Sequence, residues 1–157
     1  MTATSLLFRA PAPVASPVTV RPVRREDAST LLRMARELDA DAAAWTDLLE
    51  FHEALFDAPV RAWAWLACVG NDTVGHAVAT VGFSLRARGY CLQLDTLRAR
   101  NEWRIAAESV LFEEVRATAR RLGCVQLQWH DTNGEAARRF GAPDARADGI
   151  RHVMSLA

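Results

Sequence analysis

A carboxylate, a strand and a helix start follow one another between residues 92 and 123, in an order that could support chemistry beside a bound anion. Asp95 lies in the middle of residues 92–99, whose side chains alternate as in a β-strand, a place where aspartate is disfavoured. Asn101 is a credible N-cap for the long amphipathic helix that follows, and Gly123 supplies its stop. Because the free amides and the dipole of a helix N-terminus attract negative charge, this junction predicts an anion-binding site.

Histidines offer a second kind of chemistry, because the imidazole changes its charge near neutral pH. His130 ends the strand predicted over residues 125–130, where it could act as a base or serve only as a hydrogen-bonded strand end. His52 and His76 lie on apolar faces and are predicted to be core or rim residues.

The elements that must position these residues are predicted from hydrophobic periodicity in the order β-α-α-β-β-β-α-β-α-β. A flexible lead-in, residues 1–16, precedes one domain, residues 17–157. Three successive strands with short links predict an antiparallel meander rather than a doubly wound nucleotide fold. The predicted strands are 17–22, 62–69, 73–84, 90–99, 125–130 and 151–156, and the predicted helices are 26–38, 45–56, 102–122 and 134–139.

Each of the three longer helices has a predicted inward stripe. The stripes are Leu31, Leu32, Ala35 and Leu38 in the first helix, Trp45, Leu48, Leu49, His52 and Phe56 in the second, and Ala107, Leu111, Val115, Ala119 and Leu122 in the long helix.

Four segments carry a resemblance to a known family through their order and spacing. Leu92–Leu97 resembles a strand written LYLEDL, Asn101–Arg104 resembles PEYR, Gln126–Asn133 resembles a W-x-V-x-x-x-N strand end, and Arg138–Ala142 resembles K-R-L-G-A. These are motifs of the GNAT superfamily of acyl-CoA N-acyltransferases, most of all its spermidine/spermine acetyltransferase-like branch. The resemblance implies an α/β fold with a mixed, mostly antiparallel sheet flanked by helices. It also implies transfer of an acetyl group from acetyl-CoA to a primary amine on a small molecule or a protein N-terminus.

The resemblance also implies roles for individual residues. Asp95 takes the place of a glutamate and is the candidate base for the ammonium proton, with His130 as a second candidate. The alternative for Asp95 is a structural ion pair with an arginine at the strand end. Asn133 matches an asparagine that helps hold the pantetheine arm, and it could equally be a plain helix N-cap. The residues implied to bind the acetyl-CoA cosubstrate are Leu97, Arg98, Ala99, Arg104, Ile105, Ala106, Ala107, Glu108, Ser109 and Asn133.

The sequence departs from the family pattern in the phosphate loop and at the general acid. Ala107 and Ser109 replace two glycines, which normally let the backbone approach a phosphate, and Glu108 adds a negative charge. The usual acid tyrosine is missing, since Tyr90 lies well upstream and Ala137 or Phe140 takes its position. These departures favour a second hypothesis, a catalytically degraded protein of this fold that binds CoA or an amine as a sensor or regulatory partner. A third hypothesis is a structural partner whose cleft binds nothing.

Composition limits the other function classes. The 157 residues fit one domain, and the formal net charge of zero gives no basic footprint for nucleic acid. Cys68, Cys91 and Cys124 are odd in number and widely spaced, which argues against a disulfide scaffold or a metal site and predicts core residues of a cytoplasmic protein. The predicted partners are acetyl-CoA and a small amine acceptor, with neither nucleic acid nor membrane. A homodimer stays open.

Overall fold

The computed structural model describes residues 17–39, 48–130, 140, 146–148 and 151–155. Its strands are β1 (Val18–Pro22), β2 (Ala62–Val69), β3 (Asp72–Ser84), β4 (Gly89–Ala99), β5 (Gln126–His130), β6 (Arg146–Asp148) and β7 (Arg151–Ser155). Its helices are α1 (Ala28–Leu38), α2 (Leu48–Phe56) and α3 (Arg104–Arg121), and short 3-10 turns at Arg25–Asp27 and Asn101–Trp103 precede α1 and α3.

All seven strands belong to one sheet, in the order β1-β2-β3-β4-β5-β7-β6. Every neighbouring pair is antiparallel except β4 and β5, which run parallel. Parallel neighbours need a crossover connection, and α3 supplies it. The expected mixed, mostly antiparallel sheet flanked by helices is therefore confirmed, including the meander from β2 to β4.

One face of the sheet packs against α3 and forms the larger core. The stripe predicted on α3 is confirmed at its first four positions, which are fully buried. Phe112, which was not predicted as part of the stripe, is also fully buried. Leu122 is wrong as a fifth member, because it lies in the turn after the last helical residue and is 41% exposed. Phe112 stacks on Phe140 with ring centroids 4.3 Å apart and meets Trp129 edge-on at 5.4 Å.

The opposite face of the sheet carries α1 and α2. Leu31, Leu32 and Ala35 are buried as predicted, whereas Leu38 is half-buried and the fully buried Met34 was not predicted. The stripe predicted for α2 is confirmed at Phe56 but wrong at Leu49, which is exposed. The other apolar residues of α2 packed against the sheet are Phe51, Ala54 and Leu55, which were not predicted. Apolar residues cover most of the circumference of α2, so periodicity alone could not select the inward face. Trp45 lies outside the described residues.

The start of the long helix differs from the prediction. Asn101 is not its N-cap but the first residue of a 3-10 turn, and neither Arg100 nor Trp103, the two residues at cap positions, makes a side-chain capping bond. The backbone satisfies this turn by itself, because the Trp103 amide donates to the Arg100 carbonyl at 3.0 Å and the Arg104 amide donates to the Asn101 carbonyl. Gly123 is confirmed as the stop, with a φ of 71°.

Several remaining expectations concern the C-terminal part and the cysteines. β7 confirms the last predicted strand, β6 was not predicted, and the helix predicted over residues 134–139 lies outside the described residues, as does the lead-in 1–16. All three cysteines are buried and form no disulfide, and burial raises the pKa of the Cys124 thiol. None of the described helices is long and apolar enough to cross a membrane.

Candidate functional site

The candidate site is built where β4 and β5 stop pairing. Their ladder joins Cys91–Leu94 to Gln126–Trp129 and goes no further, although β4 continues to Ala99. On this side of β4, no described strand pairs with residues 95–99. Backbone amides and carbonyls along this edge can therefore pair with an extended ligand.

Asp95 occupies a β-bulge at the start of this open edge. Val78 pairs with Thr96 and Ala79 pairs with Leu94, so Asp95 is the extra residue with no partner on β3. A bulge disrupts the ladder locally and redirects a side chain. The exposed Asp95 carboxylate accepts one hydrogen bond from Thr80 Oγ1 at 2.8 Å and one from Gln93 Nε2 at 3.0 Å. In the described chain, two neutral donors hold this carboxylate instead of the arginine that the structural alternative requires.

His130 lies on the same face of the sheet as Asp95. Leu127 and Trp129 of β5 point into the core under α3, so Gln126, Gln128 and His130 point to the opposite face. Asp95 and His130 are each the first residue after the last paired position of neighbouring parallel strands. The structure thus brings both predicted catalytic residues to one polar row, which continues in the bond from Gln128 Nε2 to Gln126 Oε1 at 3.1 Å.

The residues predicted to meet phosphate lie in the first two turns of α3. Arg104 is 54% exposed, and its Nε lies 3.5 Å from Oε1 of Glu108, whose side chain is only 7% exposed. Ala107 is fully buried in the core and Ala106 is half-buried beside it, while Ile105 and Ser109 are exposed. The segment is therefore regular helix with one side committed to packing, and its exposed amides are limited to the helix start.

The end of β4 leads into this helix start. Leu97 and Ala99 are buried on the α3 side, and the exposed Arg98 donates to the Leu97 carbonyl at 3.0 Å. Arg100 Nε lies 2.9 Å from Glu37 Oε1 of α1, and this bond lowers the pKa of the Glu37 carboxyl. Asn133 lies outside the described residues.

Gly75 makes the close approach of β3 and β4 at this end of the sheet. A Cβ on Gly75 would lie 2.9 Å from both Ala99 Cβ and the Arg98 carbonyl oxygen. The neighbouring Arg100 amide donates to the Val74 carbonyl at 2.8 Å, which fixes the entry to α3. Sequence reasoning missed Gly75, although a glycine inside a strand is a signal of close backbone approach.

Three further residues that the sequence analysis singled out are buried or half-buried. His76 is fully buried under α1, and burial lowers the pKa of its imidazole to about 4, with a further contribution from the charge of Arg98. Phe140, one candidate for the position of the missing acid, is buried against Phe112 and offers no proton. His52 packs against Phe56 with ring centroids 4.8 Å apart.

A separate cavity of about 370 Å³ lies at the other end of α3. It is lined by Pro22, Val23, Leu55, Phe56, Val60, Ala62, Trp63, Ala64, Trp65, Thr118, Arg121 and Leu122. None of the predicted catalytic or cofactor residues lines it, so it is distinct from the site on the open edge of β4. Among the described residues, no group of acidic, histidine or cysteine side chains could hold a metal ion.

Comparisons with known proteins find the chain's likeness in structure and not in sequence. No protein-family model and no curated protein matches the chain. An aminoglycoside acetyltransferase from an uncultured soil metagenomic sample, solved in complex with sisomicin, superposes with a TM-score of 0.67 at 13% identity over 85% of this chain and 92% of its own.

Two further solved structures widen this comparison. A protein from Desulfovibrio desulfuricans assigned to the GNAT family of acetyltransferases gives a TM-score of 0.66 at 15% identity, over 89% of this chain and 99% of its own. A transcriptional regulator from Bacillus halodurans gives 0.62 at 18% identity, over 84% and 94%. Identities this low carry the fold and leave the activity to be argued from the site. By its sheet order, its α3 crossover and these superpositions, the chain has the fold of the GNAT acyl-CoA N-acyltransferases.

Proposed function

We propose that this protein is an N-acetyltransferase that moves an acetyl group from acetyl-CoA to a primary amine. The observation that carries the proposal is the coincidence of three features at one point. The β4–β5 ladder ends after Leu94, Asp95 bulges out at the next residue, and the unpaired edge of β4 leads straight into the start of α3.

The open edge of β4 and the start of α3 bind different parts of acetyl-CoA in this proposal. In the proposal, the backbone of Leu97, Arg98 and Ala99 pairs with the amides of the pantetheine arm, as an added strand would. The pyrophosphate lies at the start of α3, where helix-end amides and Arg104 favour negative charge. Residues 104–109 and Asn133 are the remaining proposed contacts.

The acceptor reaches the thioester from the face that carries Asp95. An amine attacks only when neutral, so the ammonium proton passes to the Asp95 carboxylate, directly or through a water molecule. The new N–C bond forms as the C–S bond breaks, and the CoA thiolate leaves with the electron pair. The attacking nitrogen then releases its second proton to solvent, which leaves a neutral amide. Solvent can protonate this thiolate, because thiols ionise only slightly above neutral pH. The missing tyrosine is then no obstacle. His130 is the alternative base on the neighbouring strand.

A second candidate function is CoA or amine binding without catalysis, in a sensor or regulatory protein. The contact between Glu108 and Arg104 favours it, since it places a carboxylate against the cation proposed for phosphate and weakens that charge. The superposition on a protein described as a transcriptional regulator supports this second candidate.

Acetyl transfer to a panel of polyamines, aminoglycosides, amino acids and peptide amines tests the proposal, with release of the CoA thiol as the readout.

Asp95→Asn should lower turnover by about 10²- to 10⁴-fold and leave acetyl-CoA affinity unchanged. Its residual rate should rise with pH as more acceptor becomes neutral. Asp57→Asn, which disturbs only an exposed pair with Arg25, is the matched control and should leave turnover unchanged. If acetyl-CoA binds but no amine reacts above the spontaneous rate, the acetyltransferase proposal is wrong and the second candidate, a binding protein, is supported.

If His130→Ala loses most of the turnover while Asp95→Asn keeps nearly the wild-type turnover, the base is His130 on β5 and not Asp95 on β4.

A further inference from the structure

We propose that Thr80 and Gln93 are positioning residues that hold the Asp95 carboxylate toward the acceptor. This inference rests on the proposed role of Asp95 as the base. Each carboxylate oxygen accepts one hydrogen bond, Oδ2 from the Thr80 hydroxyl at 2.8 Å and Oδ1 from the Gln93 amide at 3.0 Å. The two donors come from different strands, so the carboxylate is fixed from two directions.

The bulge explains why Asp95 needs such support. Asp95 has no partner residue on β3 and its side chain is exposed, so neither the ladder nor packing fixes its rotamer. Thr80 and Gln93, in contrast, are direct partners across the β3–β4 ladder, which places their side chains next to each other on one face. Thr80 is also β-branched, and its restricted χ1 holds the hydroxyl in place. The regular ladder therefore supplies the order that the bulge lacks.

The chemistry of the two donors suits a base. A carboxylate has about four lone-pair sites, so two hydrogen bonds leave sites free for an incoming proton. Both donors are neutral, so they orient the carboxylate without cancelling its charge, whereas a paired arginine would compete with the ammonium of the acceptor. A productive base needs its geometry fixed before the acceptor binds.

Substitutions that remove or keep one donor give the kinetic test. Thr80→Val is nearly isosteric and loses the hydroxyl, and we expect kcat/KM for the acceptor to fall about 10-fold with the KM for acetyl-CoA unchanged. Thr80→Ser keeps the hydroxyl and should recover the rate to within about 2-fold of the wild type. Gln93→Leu should behave like Thr80→Val. Thr19→Val, on the edge strand β1, is the matched control and should leave the rate unchanged.

Combining each change with Asp95→Asn separates positioning from general damage to the sheet. A residue that acts only through Asp95 has no further effect once that carboxylate is gone, so Thr80→Val should leave the residual rate of Asp95→Asn unchanged. An equal loss in both backgrounds, or a failure of Thr80→Ser to recover the rate at an unchanged melting temperature, would overturn the proposal.

An NMR measurement tests the geometry without any acceptor. In the wild type, the two three-bond couplings between Hα and the Hβ protons of Asp95 should differ strongly, because one χ1 rotamer is populated. In the Thr80→Val, Gln93→Leu double variant they should converge to a common averaged value. Couplings already averaged in the wild type would refute the positioning role even if acetyl transfer occurs. If the two couplings of Asp95 differ but the protein acetylates no amine, the proposed enzyme activity is wrong, whereas the positioning of the carboxylate by Thr80 and Gln93 is supported.

Discussion

Arg104 and Glu108 lie one helical turn apart at the start of α3, with Nε and Oε1 separated by 3.5 Å. Glu108 was expected to add a negative charge beside the phosphates, and the structure shows that its carboxylate is mostly buried and faces the arginine proposed to bind them. The pair therefore sets how much positive charge the helix start offers to an anion.

Glu108→Gln should tighten binding of CoA by about 3-fold to 10-fold, because it removes one anionic charge and frees Arg104. Arg104→Ala should weaken binding by a similar factor. Isothermal titration calorimetry with CoA measures both. Glu113→Gln is the control, since Glu113 pairs with Arg116 further along the same helix. Weaker binding by Glu108→Gln would mean that Glu108 positions Arg104 for the phosphate instead of competing with it.

We expect His76 to make the free energy of unfolding depend on pH. Its ring is fully buried, neither nitrogen has a hydrogen-bond partner among the described residues, and burial lowers its pKa from 6.5 to about 4. Below pH 6.5 the imidazole is protonated in the unfolded chain but stays neutral in the folded chain until the pH approaches 4. The contribution of His76 to the free energy of unfolding is therefore fully present above pH 6.5 and is lost as the pH falls toward 4. The loss at pH 5 relative to pH 7.5 should be about 2 kcal/mol from this residue.

Urea unfolding of His76→Leu at the two pH values checks this dependence. The variant should lose less stability on acidification than the wild type does, by about that amount. Met34→Leu, at a fully buried position of α1 that carries no ionisable group, is the control and should keep the wild-type pH dependence. An unchanged slope in His76→Leu would show that the buried ring is not the group that takes up the proton.

At the residue scale, the sequence located some of the site and missed the contacts that complete it. Asp95 could be singled out because aspartate is rare in mid-strand. Its bonds to Thr80 and Gln93 could not, since they depend on the β3–β4 register and on the bulge. A register is a tertiary property, and a change of one residue would have moved Thr80 to the other face.

At the element scale, the strands of the meander and the α3 crossover were predictable because each has a clear hydrophobic period and a turn or glycine at its end. The face of α2 was not predictable, because its apolar residues surround the helix. The Asn101 cap was wrong for a different reason: the backbone closes a 3-10 turn there, so no side-chain cap forms.

The close contact of β3 and β4 beside the helix start gives a prediction for the sheet. Gly75→Ala should destabilise the fold by about 1–3 kcal/mol, since the new Cβ would lie 2.9 Å from the Arg98 carbonyl oxygen and the backbones must separate. Gly82→Ala, on the same strand with nothing within 4 Å of the added Cβ, is the matched control. Its effect should stay within about 0.5 kcal/mol.

Denaturant unfolding of the two glycine variants measures these stabilities. Equal stability of the two variants would mean that the β3–β4 contact at Gly75 is looser than the structure shows.

At the scale of the whole molecule, one crossover connects the two strands that border the candidate site. β4 delivers the chain to α3, the helix packs back over the sheet through Phe112, and β5 then returns beside β4 for only four paired positions. The wedge left between β4 and β5 is a consequence of this short pairing. The fold was predictable from the order of elements, whereas the proposed activity depends on a few side chains around the wedge, whose positions the order of elements does not give.

The thermal stability of the protein with acetyl-CoA tests the central claim most directly. If acetyl-CoA binds along the open edge of β4 and at the start of α3, a concentration about 100-fold above its Kd should add about 2.7 kcal/mol of stability, which raises the Tm by about 5–10 °C. CoA should give a comparable rise and adenosine diphosphate a smaller one, and the rise should shrink in Arg104→Ala. An unchanged Tm with millimolar acetyl-CoA would contradict both the enzyme and the CoA-binding protein.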